Sequence, residues 1–224
     1  MIQQFSIFVS AILFALSVFS STVSAYEGGD VIVRAGAANV NPQEDSSTLR
    51  LNGTSLAGTG ASVDSNTQLG LTISYMLNQQ WGIELLAASP FTHTVNADGL
   101  GIEIGEVKHL PPTLSVQYFP LGSDATFKPY LGLGLNYTVF FSEDLSSEFI
   151  GAIGDGDIEL DNSSGLAVEI GADFSLSDKL VLNISAWKID LGTSATVRLN
   201  SGSVITADVD IDPIALMVGL GYKF

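Results

Sequence analysis

After residue 25 the chain falls into eight segments in which apolar residues alternate at period two with small or polar ones. QLGLTISYM is the cleanest, setting Leu69, Leu71, Ile73 and Tyr75 against Gln68, Gly70, Thr72 and Ser74. VIVRAGAAN, WGIELLAAS, TLSVQYF, PYLGLGLNY, GLAVEIGADF, LVLNISAW and IALMVGLGYKF repeat the pattern. Alternation alone fits a lipid-facing barrel and a soluble sandwich equally, because both bury one face of each strand. The connections separate them. Long links, about 41 to 66, 92 to 110, 141 to 163 and 192 to 208, take turns with the short links NQQ, LGSDAT and LSDK, so the long ones all fall at one end, opposite both termini. This asymmetry predicts an all-β, eight-stranded antiparallel up-and-down transmembrane β-barrel. Hydrocarbon cannot satisfy backbone polar groups, so strands that cross it must close without a free edge.

Ile7 to Phe19 is apolar but too short to cross a bilayer as a helix, and it is followed by the small-residue end VSA. It is expected to be a secretory signal peptide, residues 1–25, cleaved after Ala25, although MIQQF carries no Lys or Arg. The barrel is then expected over residues 26–224. Eight Lys and Arg against 24 Asp and Glu exclude a nucleic-acid partner, which would need clustered cations. The chain has no Cys, and no cofactor motif or zinc spacing is present. Tyr75, Trp81, Tyr118, Phe119, Tyr137, Tyr222 and Phe224 end the apolar faces, where interfacial girdles belong.

An eight-stranded bore is filled by side chains or holds one small ligand. With a rise of roughly 2.5 Å per tilted residue, the inward parity puts Arg34, Glu84, Gln117, Glu169, Asp173 and Lys223 in the lower half. Opposite charges there are expected to pair into a polar plug, a role that overlaps with simple filling of the barrel. Higher up, Leu86 and Trp187 point inward among Ala88, Ser185 and Gly. In LNISAWKID the indole of Trp187 shares the polar face with Asn183 and Ser185. Two bulky apolar groups at mid-height can fill a void or form a constriction that excludes water by dewetting.

The strings NTQLGLTISYM, WGIELLAASPFTH, HLPPTLSVQYFP, PYLGLGLNYTVFF, VRAGAANVNP and the terminal GLGYKF resemble the OmpW family of small outer-membrane proteins. The resemblance covers essentially the whole chain after residue 25. It implies a barrel in the Gram-negative outer membrane, with outer-membrane lipid as surroundings and a narrow apolar lumen passing small hydrophobic solutes. It also implies that Leu86 and Trp187 constrict the lumen, and that Phe224 with Tyr222 forms the C-terminal signal for the outer-membrane assembly machinery. The expected exit is sideways into the bilayer, above the plug. The uncharged start of the signal and the acidic third loop depart from the family.

Two rival functions remain open on the sequence. A lipid A-modifying enzyme would need His beside Ser and an acid. Only His93 and His109 are available, flanking the second long link near Glu106, and no catalytic residue is expected. A surface receptor would use the long loops. Residues 142–161 carry seven acids and no base, a pattern that fits a solvated, self-repelling loop better than a cation site. No metal is expected. EFIGAI within that loop has the makings of a short helix.

Overall fold

In a computed structural model, residues 26–121 and 125–224 are described; the expected signal peptide and the middle of the LGSDAT turn lie outside them. Eight antiparallel strands form the barrel: β1 (Val31–Asn41), β6 (Asn66–Met76), β7 (Trp81–Ala88), β10 (Thr113–Tyr118), β11 (Phe127–Leu145), β13 (Ser163–Ser175), β14 (Leu180–Ile189) and β17 (Ile214–Lys223). Pairing runs β10-β7-β6-β1-β17-β14-β13-β11 and closes through β10 against β11. No edge is left in this part of the sheet.

The two parities separate as expected. Leu69, Leu133, Leu135, Ile170 and Leu220 stand exposed on the outside, while Thr72, Ser74, Glu84 and Gln117 are buried within. From Phe127 to Tyr137 the exposed face of β11 spans ~25 Å of height, the thickness of an outer-membrane apolar band. Such a surface is tolerable only against hydrocarbon. Among the girdle aromatics, Tyr75, Trp81, Tyr137, Tyr222 and Phe224 are exposed. Phe119 is not: it continues the inward parity of Thr113, Ser115 and Gln117 and packs inside, so it does not belong to the girdle.

Two of the short links, NQQ and LSDK, are held by local side-chain caps. Asn78 Oδ1 accepts from the amides of Gln80 and Trp81, and Ser177 Oγ from those of Lys179 and Leu180.

The long links differ from the expectation of loops. They fold into further sheet: β2 (Asp45–Ser46), β3 (Arg50–Leu51), β4 (Thr54–Ser55), β5 (Gly60–Val63), β8 (Phe91–Asp98), β9 (Ile102–Leu110), β12 (Gly156–Leu160), β15 (Gly192–Leu199) and β16 (Val204–Asp210). The order β11-β9-β8-β5 prolongs one wall of the barrel, and β12-β15-β16-β3-β4 makes a second sheet. Asn52 and Gly53 join β3 to β4 with φ of 49° and 81°, a primed turn whose twist suits the hairpin. Leu49, Ile104, Phe149, Ile158, Val197 and Val209 bury a core between these pieces, so the top of the molecule is a packed cap. EFIGAI does contain a helix, α1 (Ser147–Ala152). Ser146 caps it by accepting from the Phe149 amide, and Phe149 is driven into the cap core. GDIEL within the acidic stretch is strand β12, paired with β15.

Candidate functional site

The lumen is layered along its axis. Its lower half is a charged cluster centred on Arg34, which is fully buried. The guanidinium grips Asp173 through two bonds, Nε to Oδ1 at 3.0 Å and Nη2 to Oδ2 at 2.5 Å. Nη1 reaches Glu84 Oε2 at 3.0 Å and Ser74 Oγ at 2.6 Å. Gln117 Nε2 donates to both oxygens of Glu169, at 3.1 and 3.2 Å. The five expected lower-lumen residues Arg34, Glu84, Gln117, Glu169 and Asp173 are therefore brought together and buried. Lys223 is not among them. It has the inward parity but occupies the last turnward position of β17, where it pairs with Asp30 at 3.6 Å at the rim.

Sequence reasoning missed several members. Asn183 Nδ2 donates to Asp173 Oδ1 and to the Tyr130 hydroxyl, each at 2.9 Å. The Tyr26 hydroxyl donates to Asp173 Oδ2 at 2.7 Å. Lys128, also buried, donates to Ser175 Oγ and lies over the Tyr26 ring. The parity of β11 already directed Lys128 and Tyr130 inward; Tyr26 precedes any alternating segment and gave no signal. Beneath the charges, Tyr26, Phe119, Tyr130, Ile32 and Met76 form an apolar floor. Glycine makes room for this filling: a Cβ on Gly171 would stand 2.3 Å from the Tyr130 ring, and one on Gly132 would meet Glu169 at 2.4 Å.

Above the charges comes an apolar collar. Trp187 and Leu86 are both buried there, in one cluster with Ala38, Phe91, Ala167, Ala215 and Met217. The indole Nε1 has no hydrogen-bond partner among the described residues. Three cavities climb from this collar into the cap. The lowest, about 30 Å³, touches Leu86, Trp187, Phe91 and His109. The next, about 40 Å³, shares Val40, His109, Leu191 and Pro213 with it. The uppermost, about 150 Å³, shares Val63, Val95, Leu160 and Ile211 with the second. Its wall includes Leu51, Leu100 and Ile153, which are exposed at the outer surface. An almost wholly apolar series of wall-sharing cavities thus lies between the cap surface and Trp187.

Strand pairing is interrupted beside the lowest cavity. Pairing of β7 with β10 stops at Leu86 opposite Thr113, and pairing of β8 with β9 starts at Phe91 opposite His109. Between them lie Ser89–Pro90 on one side and Pro111–Pro112 on the other, and proline has no N–H for a ladder. Asn136 Nδ2 contributes to satisfying the carbonyls of Pro111 and Pro112, at 3.2 and 3.3 Å. Ala87, Ala88 and Pro111 at this break line the lowest cavity.

His93 and His109 meet above the apolar belt, Nε2 to Nε2 at 2.9 Å, stacked with Phe91. Burial pushes His93 below its ordinary value, and burial together with the neighbouring His93 pushes His109 down to about 3. Glu106 is exposed and faces away from this pair. No Ser–His–acid arrangement is assembled on either imidazole among the described residues. Phe224 is exposed at the lower end, edge-on to Tyr222 at 4.8 Å, and its amide donates to the Val31 carbonyl.

A profile of the OmpW family matches residues 27–224. Outer membrane protein W of Vibrio cholerae is 44% identical over 219 residues, covering 96% of each chain. Outer membrane protein W of Escherichia coli K12 is 37% identical, covering 96% of this chain and 97% of the relative. The crystal structure of the outer membrane protein OprG from Pseudomonas aeruginosa superposes with a TM-score of 0.86 at 44% identity, over 90% of this chain and 99% of that one. With a closed eight-stranded barrel, an exposed apolar belt and a match over residues 27–224, this chain belongs to the OmpW family of outer-membrane β-barrel proteins.

Proposed function

We propose that the protein admits small hydrophobic molecules through its cap, conducts them to the collar at Leu86 and Trp187, and releases them sideways into the outer membrane. The observation that carries this reading is the vertical sorting of the lumen: three wall-sharing apolar cavities above, and a buried ionic cluster on an aromatic floor below. A hydrocarbon entering from above gains by leaving water along the whole path. It then meets Arg34, Glu84, Gln117, Glu169 and Asp173, whose mutual hydrogen bonds it cannot replace. These residues act as the plug. The break in the ladder at Ser89–Pro90 and Pro111–Pro112, beside the lowest cavity, offers an exit where the paired ladder is already interrupted. Tyr222 and Phe224 serve assembly, presenting an aromatic end to the machinery that inserts barrels.

Uptake of a labelled hydrophobic solute by cells expressing the wild type or Ala215→Trp tests the reading. Ala215 is inward, buried and on the wall of the lowest cavity. An indole there fills that cavity and is expected to reduce protein-dependent uptake to background, with equal amounts of folded protein in the membrane. Undiminished uptake would remove the collar from the route.

A further inference from the structure

Among the residues that line the three cavities, two buried side-chain atoms lack a hydrogen-bond partner, and they define what else a solute should carry. His93 Nδ1 lies against the Asp64 backbone carbonyl, which can only accept, so this nitrogen holds the proton. In the neutral ring Nε2 of His93 is then a lone pair, and His109 Nε2, 2.9 Å away, must donate to it. His109 Nδ1 is left as a bare acceptor. It is buried and has no partner among the described residues. His109 lines both lower cavities. Trp187 Nε1, a donor, is likewise unpartnered on the wall of the lowest one. The remaining unpaired buried side-chain atoms, on Thr72, Glu84 and Gln117, are on residues that line none of the three cavities. Leaving a buried acceptor unpaired is costly, and a ligand that supplies the missing proton recovers that cost.

We infer that the conduit selects slender apolar molecules bearing one hydroxyl or N–H group, which donates to His109 Nδ1 while the hydrocarbon part occupies the cap cavity above. A hydroxyl suits both unpaired groups, since it donates to His109 and can accept from Trp187. An ether or a plain hydrocarbon of equal size leaves the imidazole unpaired. This assigns His109 as a specificity-determining residue, and it rests on the conduit reading above.

The test compares 1-decanol with its isomer 1-methoxynonane, and with undecane, for binding to the full chain in lipid nanodiscs after correction for partition into empty nanodiscs. The alcohol is expected to bind about tenfold more tightly than the ether, the size of one hydrogen bond to a buried acceptor. His109→Leu should abolish that preference while retaining undecane binding. In the wild type, the ¹⁵N resonance of His109 Nδ1 should shift with 1-decanol and stay in place with 1-methoxynonane, a readout that does not depend on a variant folding. Equal binding of all three probes with an unmoved Nδ1 resonance would overturn the hydroxyl inference and leave the conduit standing. If none of the three binds, both fail together.

Discussion

Arg34 is the residue on which the lower lumen turns. It is the shared partner of Asp173 and Glu84, and deleting one side of a buried ionic network strands the other. Arg34→Met is expected to destabilise the barrel by about 3–5 kcal/mol in urea unfolding from lipid vesicles; a loss within experimental error would show that the charges are solvated. His109 makes a second prediction. Its folded-state value is depressed to about 3, below the ordinary 6.5, so the native state favours the neutral ring. The unfolded chain binds a proton on this ring first, so the contribution is fully present above about pH 6.5 and is lost progressively as pH falls toward about 3. Lys108 and Glu106, its neighbours on β9, are exposed and turned away, so they do not compensate. Imidazole ¹⁵N spectra at pH 5 should show His109 neutral with its proton on Nε2. A doubly protonated ring at that pH would contradict the assigned tautomers.

At the scale of elements, the eight barrel strands, their facing and the positions of Leu86 and Trp187 were legible because alternation fixes direction wherever one face meets lipid. Legibility stopped where alternation stops. Tyr26, outside any strand, became a floor residue, and Lys223 at a strand's last position became a rim residue; Phe119 keeps the inward parity of Thr113, Ser115 and Gln117 and belongs to the floor, not to the girdle. The long links looked like loops because their apolar residues, such as Leu49, Ile104, Phe149 and Ile158, lack an unbroken period and find each other only across separate links. The collar was read from two residues, whereas packing adds Met217, Phe91 and three alanines. Close packing beneath it gives a further prediction. In β13, Gly171→Val places a branched side chain inside the Tyr130 ring, so the yield of folded barrel, read from heat-modified gel mobility, should fall sharply, whereas Ser164→Val on the exposed face of the same strand should fold normally. Similar yields would mean that Tyr130 moves freely.

For the molecule as a whole, the layered lumen makes two routes distinguishable. A bore sealed by Arg34 and its partners and floored by Tyr26, Phe119 and Tyr130 should pass no ions, so planar bilayers should show no conductance steps of nanosiemens size. The most direct test follows the solute itself, using an aliphatic probe with a photoreactive diazirine and mapping its attachment sites by mass spectrometry on the protein in outer-membrane vesicles. Attachment confined to the cap, to Leu86, Trp187 and Met217, and to the break around Ala87–Pro90 and Pro111 is the predicted result. Attachment to Gln117, Lys128 or Asn183 would place the solute within the ionic cluster and contradict lateral release above a sealed lower bore.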